Sequence, residues 1–264
     1  MGHDAGVTVT SYSVVAFNSA TDSNNKIHDD DVAKRFGFRG GLVPGVDVWA
    51  YLTRPCIDRW GAEFLERGRM EGRFATPTYD GDTMVATLDD AGALELRDPA
   101  GELCASGTAT LSDDAPIASF DLARTPVPDP RPDASEETLA AGTVLGTLAF
   151  GFHAAQASIY LGEVRDEHPI YEGGRVAHPG WMARQCNNVL ARTVRLGPWI
   201  HVGTDARHHR RIVDGDRVEV RGVVVAEHER KGHRFVDLDV VITANDELAY
   251  SARHTAIWRP RQLA

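Results

Sequence analysis

A histidine shortly ahead of a glycine-rich segment is the feature of this sequence with the clearest chemical use. His28 ends the stretch Asn-Asn-Lys-Ile-His at 24–28, and Gly-Phe-Arg-Gly-Gly-Leu-Val-Pro-Gly follows at 37–45. Beyond it, apolar residues recur at near-helical spacing, so we expect a helix to begin there. The first N–H groups of a helix lack intrahelical partners and carry partial positive charge, so they can bind an oxyanion. A base close to an oxyanion site predicts chemistry on a carbonyl compound.

The backbone of this glycine-rich segment supplies the candidate substrate-binding groups. Glycine permits close approach to the backbone, which makes Gly41 and Gly45 candidates. We expect the N–H group of Gly45 or Val46 to contact the oxyanion, because both lie at the predicted helix start.

The stretch around His28 resembles the signature of the MaoC-like, (R)-specific enoyl-thioester hydratases. That signature reads Asp, any residue, Asn, Pro, an aliphatic residue and His, followed by a small helix and a Gly-Phe-x-Gly turn. Asn25 and His28 match it, whereas Ser23 stands at the Asp position and Lys26 at the Pro position. The resemblance implies that His28 transfers a proton between water and substrate. Asp22, one residue out of register, or Ser23 would assist it, and Asn25 would hold the loop or the reacting groups. No metal and no redox cofactor are implied.

Asp47 keeps a second enzyme class open. Hotdog-fold thioesterases commonly use a carboxylate on or near the central helix to activate water or to attack the thioester. Asp47 lies in the first turn of the predicted helix, where an acidic residue is also favourable in itself. We therefore predict either a catalytic or a purely structural carboxylate at this position.

Three residues near the two helix starts have two possible roles each. His178 occupies in the second half of the chain the place that Gly45 has in the first. It would either cap a helix or face the same or a pseudo-symmetric cavity. Trp49 and Trp181 would either line an apolar acyl tunnel or pack in the core.

One basic cluster, Arg-His-His-Arg-Arg at 207–211, is a candidate for binding phosphate. It could attract the phosphates of coenzyme A or the phosphopantetheine of a carrier protein. The alternative is a solvated edge strand.

The composition excludes several other classes of function. The 264 residues are 42% hydrophobic and 25% charged, as in ordinary globular proteins. A formal net charge of −10 argues against nucleic-acid binding. Residues 1–6 lack the features of a secretory signal, and no apolar run is long enough to span a membrane. Three cysteines at unpaired spacings indicate reduced, non-catalytic thiols, so we predict a cytoplasmic protein.

An internal repeat predicts the organisation of the chain. Gly-Gly-Leu-Val-Pro-Gly at 40–45 and Gly-Gly-Arg-Val-Ala-His-Pro-Gly at 173–180 each precede a helical pattern, and each helix is followed by strands. We predict helices at 46–65, interrupted by Pro55, and at 180–193. The predicted strands are 69–76, 83–88, 93–97 and 103–111, then 199–208, 217–228, 234–243 and 248–258.

One helix against antiparallel strands in each copy predicts an α+β architecture. Together with the repeat, this resembles the double hotdog fold, in which two antiparallel sheets are each wrapped around a central helix. We assign one unit to residues 1–115 and the other to 139–264, joined by a proline-rich linker at 116–138.

The sequence thus predicts a MaoC-like hydro-lyase that acts on an acyl thioester of coenzyme A or of a carrier protein. The reaction would be hydration of a 2-enoyl group or dehydration of a 3-hydroxyacyl group. The departures at Ser23 and Lys26 leave other possibilities: a repurposed enzyme for another elimination, conjugate addition or cyclisation, a thioesterase, or a non-catalytic acyl-binding subunit. We expect a homodimer, because such sheets offer edges for two-fold pairing.

Overall fold

The computed structural model describes residues 8–263, and the prediction that residues 1–6 are not a signal concerns a segment outside that range. All strands pair antiparallel in one ten-stranded sheet. In chain order the strands are β1 (Thr10–Val15), β2 (Gly68–Phe74), β3 (Thr83–Leu88), β4 (Ala93–Arg97), β5 (Leu103–Leu111), β6 (Leu148–Gly151), β7 (Ile200–His208), β8 (Arg217–Arg230), β9 (His233–Ala244) and β10 (Glu247–Arg259). The helices are α1 (Asp30–Arg35), α2 (Gly45–Trp60), α3 (Phe64–Arg67), α4 (Ala154–Val164) and α5 (Pro179–Thr193).

The two halves of the sheet have the same topology. The spatial order is β1-β3-β4-β5-β2-β7-β10-β9-β8-β6, so the first five strands and the last five follow one pattern, reversed about the centre. The halves join where β2 pairs with β7, with Met70 opposite Ala206. Each half therefore repeats one unit, and the predicted α+β architecture is confirmed.

The two long helices lie side by side within the curved sheet. Most of α2 is buried, and α5 buries one face against α2 and β8. Gly180 lets the helices approach, because a Cβ atom there would lie 2.6 Å from the Cβ of Ala50. The contact brings the two helix starts, and the loops before them, to one region of the molecule.

The sequence misplaced or missed several elements. Helix α2 continues through Pro55 and ends at Trp60, because Gly61 adopts a positive φ of 59°. Of the two outcomes predicted at Pro55, a kink or the end of a first segment, the second is therefore wrong. Strand β1, the four-residue strand β6 and helix α4, which lacks a strong amphipathic pattern, were not predicted.

Residues 116–138 connect β5 to β6. This part of the described chain contains only turns and one isolated bridge, in which Asp133 pairs with Arg195. The segment runs along the second half, where the Ile117 N–H donates to Ser251 and Arg124 pairs with Glu219.

Within residues 8–263, no helix is both long and apolar enough to cross a membrane.

We expect Gly107→Ala to destabilise the protein. Gly107 lies opposite Gly72 in the pairing of β5 with β2, and a Cβ atom there would lie 1.9 Å from the carbonyl oxygen of Glu71. Forcing the strands apart should lower the free energy of unfolding by roughly 1–3 kcal/mol. Urea denaturation followed by tryptophan fluorescence would measure it. Gly162→Ala is the matched control, since its Cβ meets nothing within 4 Å, and helix propensity should leave it equal or more stable. Equal stability of the two variants would contradict the prediction.

Candidate active site

The loop that carries His28 is fixed to the glycine-rich segment through its backbone. His28 ends a 3₁₀ turn, Lys26–His28, and its carbonyl accepts a 2.9 Å hydrogen bond from the Asn18 amide. A Cβ atom at Gly41 would lie 2.1 Å from that carbonyl, so glycine is needed for the two loops to touch. The Gly41 N–H donates to the carboxylate of Asp30 at 2.7 Å, which leaves it unavailable to a substrate.

One hydrogen bond determines which nitrogen of His28 can act as a base. Nδ1 lies 2.7 Å from the carbonyl oxygen of Leu42. A carbonyl only accepts, so Nδ1 carries the proton and Nε2 keeps its lone pair. Burial lowers the pKa of His28 below 6.5, against smaller raising effects of the Leu42 carbonyl and the Asp47 charge. A neutral imidazole of this tautomer is a proton acceptor at Nε2.

Asn25 joins the His28 loop to the second half of the protein. Its amide nitrogen donates to the carbonyl of Trp199 at 2.9 Å, and its oxygen accepts from the Trp199 N–H at 3.2 Å. The same amide nitrogen lies 3.3 Å from Nε2 of His28, and since Nε2 carries no proton, the Asn25 N–H is the donor and Nε2 the acceptor. Asn25 therefore both anchors the loop and contacts the imidazole.

The start of α2 offers two unpaired N–H groups. The N–H groups of Asp47 and Val48 donate to the carbonyl of Pro44 at 2.9 and 3.0 Å. Within the described part of the chain, the N–H groups of Gly45 and Val46 have no hydrogen-bond partner. They are the backbone donors that the sequence predicted for an oxyanion.

Two spaces of different character meet at His28. One is a largely apolar cavity of about 330 Å³, lined by such residues as Ile27, Val48 and Phe74. The other is an open, more polar cleft of about 1100 Å³. The residues that line both are Asn25, His28, Pro44, Asn187 and Trp199. A ligand with an apolar end and a polar end would place its junction beside the imidazole.

Asp22 and Ser23 lie on the cleft side of His28 and do not line the cavity. The Ser23 hydroxyl donates to the carbonyl of Asn25 at 3.1 Å. Neither side chain forms a hydrogen bond with His28 within residues 8–263. The carboxylate of the family signature thus has no direct replacement on the imidazole.

Asp47 lies behind the site in a buried ion pair. Its side chain is 0% exposed, accepts from the Ser19 hydroxyl at 2.5 Å and pairs with Arg184 at 2.8 Å. It lines neither the cavity nor the cleft. Both carboxylate oxygens are engaged, and the pair connects α2 to α5.

His178, Trp49 and Trp181, the three residues predicted near the helix starts, lie outside the His28 site. His178 caps α5, accepting from the Gly180 N–H at 2.9 Å, and its Nε2 lies 3.2 Å from the buried Asp166. Trp49 is buried in the core. Trp181 lines a separate space of about 730 Å³ in the second half.

The basic cluster at 207–211 is remote from both spaces. Its first two residues, Arg207 and His208, end β7, and 209–211 follow that strand. Strand β7 pairs with β2 on one side and β10 on the other, so the predicted edge strand is wrong. Arg207 is buried and donates to the Ser112 carbonyl, while Arg211 pairs with Glu66. The cluster does not line the cleft, where a phosphate group could be bound.

The cysteines take no part in the site. Cys56, Cys104 and Cys186 are buried free thiols. Burial raises the pKa of each, which agrees with the prediction that none is catalytic.

Sequence reasoning missed several residues that line the cavity, among them Asn187 and His201. Asn187 is one of three amide residues close together on a predicted helix, and His201 lies on a predicted strand far from His28 in the chain. Neither belongs to a recognisable motif, so only the three-dimensional arrangement identifies them.

No family model and no curated protein sequence matches this chain. Solved structures do. A MaoC domain protein from Chloroflexus aurantiacus named as a dehydratase aligns over 96% of this chain and 95% of its own, with 12% identity and a TM-score of 0.64. The Mycobacterium tuberculosis protein Rv0216, described as a double hotdog, aligns over 95% and 96%, with 14% identity and a TM-score of 0.66. A Lactobacillus plantarum protein named as an oleoyl thioesterase aligns over 97% and 98%, with 12% identity and a TM-score of 0.52. These likenesses confirm the predicted fold: the chain is a double hotdog protein.

Proposed function

We propose that the protein is a hydro-lyase that adds water to a 2-enoyl thioester or removes it from a 3-hydroxyacyl thioester. The observation that carries the proposal is the lone pair of His28 Nε2 at the junction of an apolar cavity and a polar cleft. The double hotdog likeness to proteins named as dehydratases supports the same class.

The site's groups suit each stage of hydration. His28 Nε2 accepts a proton from water while the water oxygen bonds to the β-carbon. The double-bond electrons move toward the thioester carbonyl, and the N–H groups of Gly45 and Val46 hold the resulting enolate oxygen. The protonated imidazole then gives its proton to the α-carbon. Dehydration is the same sequence in reverse.

The two spaces suit the two ends of an acyl thioester. The acyl chain would occupy the apolar cavity, and the pantetheine arm of coenzyme A or of a carrier protein would follow the cleft. Four arginines line the cleft, against two aspartates: Arg131, Arg184, Arg192 and Arg195, with Asp22 and Asp129. Arg184 is paired with Asp47 and Glu163, and Arg195 with Asp133, whereas Arg131 and Arg192 have no ion pair within the described residues. Those two guanidinium groups would be the ones that bind a phosphate-bearing arm. A homodimer remains our expectation.

A thioesterase is the second candidate, favoured by the solved structure named as an oleoyl thioesterase. Its predicted catalytic group is Asp47, which is buried and paired with Arg184. A carboxylate whose oxygens are both engaged is a poor nucleophile or base, so we place the hydro-lyase first. The lack of a carboxylate on His28 keeps a related elimination or an inactive acyl-binding subunit as further alternatives.

We expect His28→Ala to lower the rate of hydration of 2-hexenoyl-coenzyme A by roughly 100-fold or more, because it removes the base. Loss of enoyl absorbance would measure the rate, and thermal denaturation would verify the fold. His228→Ala, on β8 away from the site, should retain normal turnover. Near-normal turnover in folded His28→Ala would contradict the assigned role.

Asp22→Asn tests whether this neighbouring carboxylate assists His28. The side chain lines the cleft without a hydrogen bond to His28 in the described structure, so we expect the hydration rate to fall by less than about 5-fold. Loss of one hydrogen bond to a charged group would lower the rate by more than that. A loss comparable to that of His28→Ala, measured in the same assay, would mean that the loop closes further around substrate.

Asp47→Asn distinguishes a hydro-lyase from a thioesterase. The change keeps the shape and both helix-start donors, so hydration of 2-hexenoyl-coenzyme A should persist. A thioesterase would instead lose release of free thiol from saturated acyl thioesters almost completely. Thiol release by the unaltered protein that disappears in Asp47→Asn would reverse our order of candidates.

We also expect Asp47→Asn to lower the free energy of unfolding by about 2 kcal/mol, since Arg184 loses a buried partner.

The pH dependence should identify His28 as the base. Its neutral form is required, so kcat/KM should rise with pH through the pKa of His28, which burial places below 6.5. The Asp47 charge raises that pKa, and removing it should move the acid limb to lower pH in Asp47→Asn. A limb above 6.5, or one that moves upward in the variant, would contradict this assignment.

A further inference from the structure

A chain of polar side chains runs beside the cavity from the start of α2 to Asn187. Nε2 of His201 lies 2.8 Å from the Thr204 hydroxyl, which lies 2.8 Å from Nδ1 of His254. Nε2 of His254 lies 2.8 Å from the amide oxygen of Asn187. His201, Thr204 and His254 are at most 5% exposed. The mechanism proposed above uses none of these four side chains.

A β-bulge in β7 brings these hydrogen-bonded side chains together. Thr255 pairs with Gly203 and Ala256 with His201, so Val202 has no partner on β10. In a regular strand, His201 and Thr204 would point to opposite faces, and the extra residue turns both to the same face. Thr204 is directly opposite His254, which places their side chains within reach of each other.

The hydrogen bonds have a defined direction. Nε2 of His201 also lies 3.1 Å from the carbonyl of Gly203, so it carries the proton and donates. The Thr204 hydroxyl then donates to Nδ1 of His254, whose Nε2–H donates to the oxygen of Asn187. Burial lowers the pKa of His201 to about 3 and that of His254 well below its usual value, so both rings are neutral links.

The direction of these hydrogen bonds determines which polar groups of Asn187 remain available to a ligand. Its oxygen is engaged by His254, and within residues 8–263 its amide nitrogen has no hydrogen-bond partner. Asn187 is also one of the residues that line both the cavity and the cleft beside His28. It therefore presents two N–H donors at the place where the reacting carbons would lie, while its oxygen is held by His254.

His201, the first residue of this hydrogen-bonded series, also touches the proposed oxyanion site. A Cβ atom at Gly45 would lie 2.8 Å from Nδ1 of His201, so the imidazole packs directly on the helix start. The rings of His201 and His254 stack with centroids 4.1 Å apart. One rigid buried unit thus positions both the backbone of Gly45 and the amide of Asn187.

We propose that Asn187 is a catalytic residue whose amide N–H donates a hydrogen bond to the β-oxygen of the substrate, the water in hydration or the hydroxyl in dehydration. This inference rests on the proposed function. His28 needs a second group to hold that oxygen, because Ser23 stands where the family signature has a carboxylate. A donor from Asn187 leaves an oxygen lone pair for the β-carbon and the O–H for Nε2 of His28. His254, Thr204 and His201 are positioning residues.

Asn187→Asp tests the donor directly, because it retains an oxygen for His254 and removes both N–H groups. With 2-hexenoyl-coenzyme A, we expect kcat to fall about 10-fold or more, as for loss of one hydrogen bond in a transition state, with KM changed less than about 3-fold. Gln156→Glu is the control for an amide-to-carboxylate change, since Gln156 is exposed on α4 and lines neither the cavity nor the cleft, and its kcat should be unchanged. Asn187→Leu removes the N–H groups without adding a carboxylate, and normal kcat in that folded variant would mean that the donor role is wrong.

Substitutions at His254 separate positioning from packing. His254→Gln can still donate to Asn187, whereas His254→Phe cannot. We expect the Phe variant to repeat the kcat loss of Asn187→Asp at unchanged KM, and the Gln variant to recover most of it. Equal activity of the two folded variants would overturn the role of His254 and its hydrogen-bonded partners in positioning Asn187.

A binding experiment keeps this inference separate from the proposed reaction. In the His28→Ala background, which slows turnover, calorimetry would compare 3-hydroxyhexanoyl-coenzyme A with hexanoyl-coenzyme A. We expect the hydroxylated ligand to bind about 5-fold or more tightly, and Asn187→Leu, which can neither donate to nor accept from the hydroxyl, to abolish that preference. A preference that survives Asn187→Leu, or that is absent before it, overturns the contact. Failure of the unaltered protein to hydrate 2-hexenoyl-coenzyme A would overturn the function instead, whatever the binding result.

Discussion

The pairing of β2 with β7 is the interaction on which the site depends. It joins two five-stranded sheets into one, and the Arg69 side chain reinforces it across the seam with a 2.9 Å ion pair to Asp205. Because the halves are fixed edge to edge, the start of β7 lies beside the loop that carries His28. Asn25 can then bind Trp199 in both directions, and the cavity is lined by both halves. A single unit would offer the base without the opposite wall.

The glycine-rich segment serves two purposes that its sequence does not separate. Gly41 and Gly45 both look like places for close approach of a substrate, yet each is in close contact with the protein itself. Gly41 receives the carbonyl of His28, and Gly45 receives the ring of His201. Within residues 8–263 the N–H of Gly45 has no partner, whereas the N–H of Gly41 is bound to Asp30. The same residue type therefore fixes the loop of His28 at one position and leaves a donor for the proposed oxyanion site at the other.

The sequence predicted those helices and strands whose local residue pattern is strong. Helix α5 and the long strands of the second half were close to their observed limits, because alternation and helical spacing are strong there. Strand β1, with only three apolar residues, and the four-residue strand β6 lacked such a pattern. Pro55 does not end the first helical segment, because α2 continues through it with the proline buried. His28 and Asn25 were found through their motif. Asn187, by contrast, depends on a bulge at Val202 and on pairing across three elements, which no local pattern encodes.

The departure at Ser23 has an electrostatic consequence for the base. A carboxylate next to a buried imidazole raises its pKa and favours the charged form, which cannot accept a proton. In this chain the described neighbours of Nε2 are neutral, the Asp47 charge acts from behind its ion pair, and burial lowers the pKa of His28. Neutral amide donors can hold an oxygen without that effect. Burial thus favours the neutral imidazole of His28. In the proposed mechanism, the orientation of the reacting oxygen is left to the amide of Asn187, which buried side chains of the second half hold in place.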